Sequence, residues 1–308
     1  MKKRRQLKPL RKFDYLLVAE KMEGFLTNVD RDLQRAGLQA LRGQPSHVAR
    51  RFELLNIIVR FATNSYNAVR YLAGNIEVDD TRKRNYVLIV PAVNRQLLDL
   101  LFSLIYMLDD FEERSLQYQR SGWRELDESY RMLKSHFRND PEWTQHFRNV
   151  KGELDKMIVR LAISKDELKN PELIAFWKTP SQLKDEKTTS RSFLRYLAKW
   201  LYADTSEQAH LSFAGLAMVG LFLVADIVGG QDEDFVKSRI IHQYHYRHFS
   251  RTAFVTLAIA TEIDVFCKLG NGKAAAYIWN IFAEYSAEAK EMLEQRYTKL
   301  LSSSAQQV

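Results

Sequence analysis

Three polar side chains recur at helical spacing in an otherwise apolar stretch of the sequence. Arg95, Asp99 and Tyr106 lie at intervals of four and seven residues, which places all three on one face of a helix. An Arg–Asp pair on an apolar helix must be mutually satisfied or bound to a ligand. His210 lies just before the most apolar segment of the chain, where an imidazole can act as a general acid or base near neutral pH. We predict that Arg95, Asp99 and His210 form one buried polar cluster, as a catalytic site or as a structural ion pair with a hydrogen-bonded histidine.

A second candidate site is the histidine series His242, His245 and His248. On a helix, the side chains of this series spread over about 120°. His242 and His245 can then share a metal ion such as zinc, while His248 points aside. The interleaved Tyr and Arg residues are equally typical of a substrate or nucleic-acid contact face, or of ordinary packing. His242 and His245 are therefore the candidate metal ligands, and no cofactor is assigned beyond the open choice of zinc or magnesium.

An acidic quartet ends an apolar run and can be read as the DDxxE motif with which class I isoprenoid synthases hold magnesium. Its members are Asp109, Asp110, Glu112 and Glu113. A second, degenerate acidic motif follows about a hundred residues later at Asp226, Gly230 and Asp234. The alternative interpretation is a helix junction capped by acids.

Two Arg–His pairs, Arg42/His47 and Arg131/His136, have the four-residue gap of helical ribonucleases of the HEPN type. In such enzymes, two subunits join their sites across a dimer. Neither pair carries the polar residue that often follows the Arg. The chain has no Gly-rich phosphate loop, GxSxG or HExxH, so the common mononucleotide and hydrolase classes are excluded.

The first twelve residues form a basic arm that carries seven cations and no acid, and these account for most of the net charge of +8. Such an arm can contact phosphates of a nucleic acid. No apolar region or cleavage site follows, so the arm does not resemble a signal peptide. The predicted nucleic-acid contacts are Lys2, Lys3, Arg4, Arg5, Lys8, Arg11 and Lys12.

Only 12 Gly and 6 Pro occur in 308 residues, and apolar positions recur at helical spacing. The sequence therefore predicts an all-α protein, a large multi-helix bundle with long antiparallel helices. Caps followed by new helices are predicted at Ser121 and at Asp140–Pro141. The main helices are predicted over 14–41, 46–72, 85–108, 191–202, 206–228, 233–269 and 273–301, with Pro91 kinking the third or marking its true start.

The charged, Pro-containing stretch 170–190 is the best candidate for a linker. The predicted organisation is an arm (1–12), an N-terminal helical part (13–169), this linker-like connection, a C-terminal helical part (191–301) and a disordered tail (302–308). One continuous domain is also compatible with the sequence.

The segment 211–225 has no charge but is shorter than the roughly 20 apolar residues of a membrane span. We predict a central buried helix there and no membrane insertion. A single cysteine, Cys267, fits a reducing compartment and predicts a cytoplasmic location.

Polar and aromatic residues recur along two segments in a recognisable order. The first, RQLLDLLFSLIYMLDDFEERSLQY, supplies Arg95, Asp99, Tyr106, Asp109, Glu113, Arg114 and Tyr118. The second region supplies Trp177, Ser181, Tyr202, Ser206, His210 and Ser212. Together they resemble an uncharacterised, all-helical bacterial family of unknown function, over about 85–220. Asp99 stands where that family more usually has Glu, and the spacing around His210 differs. The resemblance implies a helical fold and a polar pocket, and it implies no known reaction.

We therefore expect a helical accessory or interaction protein, homo-oligomeric, that binds nucleic acid or a protein partner, and a role as a bacterial defence or stress effector. Two alternatives stay open. One is a metal-independent HEPN-like ribonuclease, and the other is a magnesium-dependent isoprenoid-diphosphate enzyme.

Overall fold

The computed structural model describes residues 12–43, 46–73, 87–138, 140–209 and 233–305. These residues form helices and connecting turns, without a strand among them, which confirms the predicted all-α class. None of the described helices combines the length and hydropathy that a membrane crossing requires. The apolar segment 211–225, predicted to be a central helix, lies outside the described residues.

The predicted helices 14–41, 46–72 and 233–269 are present within a few residues of their expected ends, whereas the prediction of one helix over 273–301 is wrong because Ser286 interrupts it and caps a new helix. The described residues form both long and short α-helices. They are α1 (Lys12–Gly43), α2 (Ser46–Ala73), α3 (Val90–Asp109), α4 (Phe111–His136), α5 (Trp143–Arg160), α6 (Lys165–Lys169), α7 (Pro180–Leu183), α8 (Arg191–Leu197), α9 (Ala203–Ala209), α10 (Glu233–Cys267), α11 (Gly272–Tyr285), α12 (Ala287–Met292) and α13 (Thr298–Ala305). Pro91 lies in the first turn of α3, directly after a 3₁₀ turn at Val87–Ile89, so it marks the start of the helix rather than a kink.

The chain divides into two compact units. The larger unit comprises residues 1–105 and 184–308, and the smaller unit comprises 106–183. One boundary falls inside α3 and the other inside the segment 170–190, which is structured. It contains a 3₁₀ turn at Pro171–Leu173 and α7, and it buries Ile174 and Leu183.

Helix α10 forms the centre of the larger unit. It packs against α1, α2 and α11, and every residue from 248 to 264 is buried. A helix that is buried on all sides must bring partners for its polar groups. Thr261 meets this need locally, because it donates to the carbonyl oxygen of Leu257 at 2.7 Å. Its charged residues need partners from other helices.

Two helices of the larger unit contain a π-helical turn. Ala198–Tyr202 joins α8 to α9, and Leu293–Tyr297 joins α12 to α13. The sequence predicted a break between Tyr202 and Ser206, which is wrong because the π turn carries the helix through this region. Such turns are rare and occur frequently at functional sites.

The smaller unit is built on the pair α4 and α5, with a core of Trp123, Leu154, Leu161, Ile163 and Ile174. The predicted helix start at Ser121 is wrong. Ser121 lies inside α4, where its hydroxyl accepts a hydrogen bond from the Trp177 backbone at 2.6 Å instead of capping a helix. The predicted helix after Asp140–Pro141 is present as α5, but Asp140 is not its cap: it accepts the Glu142 N–H at 3.0 Å in the turn before the helix, and Glu142 is the N-cap.

Candidate functional site

The Arg95 side chain is the centre of a polar cluster in the larger unit. Its Nε donates to Asp99 at 3.3 Å, one helical turn along α3. Its two terminal nitrogens donate to the hydroxyls of Tyr202 and Ser206, which lie in the π turn and in α9. The guanidinium also stacks on the Tyr202 ring, 3.9 Å from its centroid. Each nitrogen of Arg95 thus has a partner, and the arginine joins α3 to the π turn.

The Tyr202 hydroxyl lies in an environment that disfavours its ionisation. Burial and then the Asp99 carboxylate raise the pKa of Tyr202 to about 12, although Arg95 opposes this. The ring also packs edge-on against Phe102. At neutral pH, Tyr202 is therefore a neutral hydrogen-bonding group.

A second arginine, Arg251 of α10, lies beside the same helical segment. It donates to Asp204 and Thr205, which lie between the two hydroxyl partners of Arg95 in the sequence. Asn94, next to Arg95, donates to the His248 carbonyl oxygen at 2.9 Å and accepts from Thr252 at 2.7 Å. The polar cluster of α3 and the buried polar residues of α10 therefore converge on one π-containing segment.

His210, the third member of the predicted cluster, lies outside the described residues. The structure brings Arg95 and Asp99 together, and it adds Tyr202 and Ser206. Those two hydroxyl residues belonged to the sequence pattern of the resemblance but were not among the predicted catalytic residues. A catalytic role for Arg95, Asp99 and His210 stays a prediction.

We expect Arg95→Ala to lower the free energy of unfolding by about 1–2 kcal/mol, because it removes several hydrogen bonds and a cation–π contact. The loss is smaller than for a fully buried ion pair, since the Asp99 side chain remains 42% exposed. Urea titration measures this. Arg60→Ala, which removes a pair between a more exposed arginine and Asp30, is the control. A loss above about 3 kcal/mol would contradict the expectation and indicate that Asp99 is stranded.

The predicted metal ligands His242 and His245 lie in α10, but their side chains are outside the described part. His248 is fully buried. Within the described ranges, no three His, Cys, Asp or Glu side chains are grouped to hold a metal ion.

The acidic quartet falls within these ranges. Asp109 pairs with Arg114 at 3.7 Å, and Asp110 precedes the first turn of α4. This is the arrangement expected of acids at a helix junction.

The basic arm lies outside the described residues from Lys2 to Arg11. Lys12 begins α1, and its side chain is likewise not described. Phosphate binding by Lys2, Lys3, Arg4, Arg5, Lys8, Arg11 and Lys12 stays a prediction.

Sequence reasoning missed a cluster of rings at the turn between α4 and α5, which we call the aromatic tip and define as His136, Phe137, Trp143, His146 and Phe147. Phe137 and Trp143 stack with nearly parallel rings, 4.2 Å between centroids. Trp143 meets His146 edge-on at 5.3 Å, and His136 meets Phe137 at 4.7 Å. Both histidines are exposed, and the three other rings are half-buried.

Basic residues surround the aromatic tip. Between 130 and 151 the sequence has five Lys or Arg and two acids. Arg131 pairs with Asp127 at 2.7 Å, whereas Arg138 and Arg148 are exposed and form no ion pair with a described residue. The tip therefore combines exposed ring edges with available guanidinium groups. The ring spacing was visible in the sequence, and the hairpin that brings the rings together was not.

Comparisons with protein families, with curated proteins and with solved structures found no match to this chain.

Proposed function

We propose that this protein is a helical interaction protein that binds single-stranded nucleic acid through the aromatic tip of its smaller unit. The observation that supports this proposal is the combination of stacked and exposed rings with the available guanidinium groups of Arg138 and Arg148. Proteins bind single strands by this combination, in which rings stack on bases and cations contact phosphates.

The geometry favours unpaired bases over a duplex. A duplex hides the faces of its bases, whereas a single strand offers them for stacking on Trp143 or on the exposed imidazoles. Three cations of this region, Lys134, Arg138 and Arg148, form no ion pair with a described residue and outnumber the acids Asp140 and Glu142, and this small excess of positive charge suits a phosphate backbone. The basic arm of the sequence would add phosphate contacts outside the tip.

The expected result is that Trp143→Ala weakens binding of a fluorescein-labelled 20-mer of uridine or thymidine by about tenfold, because stacking contributes about 1–3 kcal/mol per base. Arg148→Ala should reduce the slope of log affinity against log salt by about 0.7, the value for one phosphate contact on a single strand. Fluorescence anisotropy at several salt concentrations measures both quantities.

The matched control is Trp200→Ala, which removes an exposed tryptophan of the larger unit. Circular dichroism establishes that each variant keeps its helices, and His146→Ala serves as a second tip variant. The proposal fails if the wild-type chain does not bind either oligomer, or if Trp143→Ala and Trp200→Ala weaken binding equally. Binding that disappears only when residues 1–11 are deleted would assign the contact to the arm.

The nuclease and diphosphate-enzyme alternatives, homo-oligomerisation and a defence role stay predictions. In the nuclease hypothesis, Arg131 and His136 would act together. Arg131 is instead held by Asp127, one turn earlier on α4, and His136 lies against Phe137.

A further inference from the structure

A cleft of about 200 Å³ opens in the smaller unit, away from the aromatic tip in sequence. Its walls come from Tyr106 at the end of α3, from the middle of α4 and from the extended segment 173–178. Cavities that hold drug-sized ligands measure about 300–1,000 Å³, so this cleft suits a smaller molecule. The lining includes aromatic and charged side chains, namely Tyr106, Trp177, Phe176, Arg120, Glu167 and Lys178.

The aromatic wall of the cleft is fixed in place before any ligand binds. Trp177 packs edge-on between Tyr106 and Tyr118, at centroid distances of 5.6 and 5.0 Å. Arg114 lies over the Tyr106 ring at 4.1 Å. The Trp177 backbone is tied to Ser121 by the hydrogen bond described above. A wall held on several sides loses little conformational freedom when a planar molecule packs against it.

The polar side of the cleft is centred on Arg120. One terminal nitrogen of Arg120 donates to Glu167. A hydrogen bond from the Ser164 backbone, and further the Arg120 charge, lower the pKa of Glu167, so its carboxylate is ionised at neutral pH. The Nε–H of Arg120 is buried and has no hydrogen-bond acceptor among the described residues. The Arg120 side chain as a whole is 25% exposed, so an anionic oxygen in the cleft would accept hydrogen bonds from the exposed guanidinium hydrogens rather than from this buried Nε–H.

A second cation lies at the rim. Lys178 is exposed, and its Nζ is 5.8 Å from the centre of the Tyr106 ring. Among the residues that line the cleft, Lys178 and Arg120 carry two positive charges and Glu167 carries one negative charge, so the lining has a formal net charge of +1. Phe176, half-exposed beneath Arg124, extends the apolar wall to the opening.

From this lining we propose that the smaller unit has a small-molecule site for a planar aromatic ring that carries an anionic group. The ring packs against Trp177 and Tyr106, and the anion accepts hydrogen bonds from Arg120 and Lys178. The shared chemistry is found in nucleoside monophosphates and in aromatic carboxylates. This site is separate from the proposed nucleic-acid surface and does not depend on it.

Isothermal titration of the full-length chain with two pairs of probes tests the proposal. The pairs are adenosine monophosphate against adenosine, and indole-3-carboxylate against 3-methylindole. We expect the anionic member of at least one pair to bind about tenfold or more tightly than its neutral analogue, as a charge-assisted hydrogen bond implies. A preference within the adenosine pair identifies a phosphate ligand, and a preference within the indole pair identifies a carboxylate ligand.

Variants assign the effect to the cleft. Arg120→Gln and Lys178→Gln should each reduce the preference for the anionic probe, while Trp177→Leu should weaken both members of the pair. Lys178 is exposed, so its replacement leaves the fold intact even if Arg120→Gln does not.

The control Arg148→Gln should change nothing in this assay. The proposal is overturned if neither anionic probe binds, if neutral probes bind equally well, or if the preference survives both Gln variants. Trp143→Ala should leave probe binding unchanged, so failure here is distinct from failure at the aromatic tip.

Discussion

Arg251→Met is expected to lower the free energy of unfolding by about 3 kcal/mol, because it removes several charge-assisted hydrogen bonds to Asp204 and Glu288, whose side chains are 31% and 29% exposed. The Arg251 side chain is only 1% exposed, and it lies in the fully buried stretch of α10. It donates two hydrogen bonds to Glu288, at 2.5 and 2.7 Å, and a further one to Asp204. Burial alone would lower the pKa of Arg251, but Glu288 and Asp204 outweigh burial and raise it.

The neighbour Arg247 is a matched control, because it contacts the same two carboxylates from an exposed position. Its side chain is 45% exposed and lies 3.4 Å from both Asp204 and Glu288. Arg247→Met should therefore cost less than about 1 kcal/mol. Urea unfolding followed by circular dichroism compares the two variants. Similar losses for both would show that burial does not decide the strength of this network.

The second large effect is expected for Arg296→Met, at about 3–5 kcal/mol. Arg296 holds Glu262 of α10 through two hydrogen bonds, at 2.5 and 2.8 Å, and Glu262 is only 2% exposed. A third bond joins Arg296 to Ser190 at 2.8 Å. Without Arg296, the Glu262 carboxylate is buried without a compensating charge. The neighbouring Tyr297 does not supply one, because burial and the Glu262 charge raise its pKa well above the usual value.

A double variant separates the cost of a stranded charge from the value of the pair. Glu262→Leu together with Arg296→Met should recover most of the stability lost in Arg296→Met alone, since apolar replacement of a buried pair is often neutral. Lys290→Met, which removes an exposed i,i+4 pair with Glu294, should cost about 0.3–0.5 kcal/mol. A double variant as unstable as the single one would contradict the explanation from burial.

Local patterns predicted the helices well, because helix formation depends on neighbouring residues. Scarce Gly and Pro and the helical recurrence of apolar side chains placed α1, α2 and α10 within a few residues of their observed ends. The i,i+4 spacing predicted the contact of Arg95 with Asp99 for the same reason. The errors at Ser121 and near Ser206 came from polar residues whose hydroxyls bind distant groups rather than cap a helix.

The distant contacts could not be predicted from spacing. Arg95 meets Tyr202 and Ser206 across more than a hundred residues, and Arg120 meets Glu167 across 47. The burial of α10 was not predicted either, because its buried charges depend on partners from other helices, Asp204 and Glu288 for Arg251 and Arg296 for Glu262. The cleft depends on the fold of segment 173–178, which composition indicated only as a linker.

The arrangement of the two units along the chain determines when each core can be completed during synthesis. The smaller unit is continuous, so all its core residues have been made once Leu183 is added. The larger unit needs α10, against which α1 and α2 pack, and α10 ends at Cys267. At about 5–20 residues per second, α1 and α2 wait about 10–40 s for that partner. During this interval the nascent chain depends on the pairing of α1 with α2, or on a chaperone, to keep their apolar faces from aggregating.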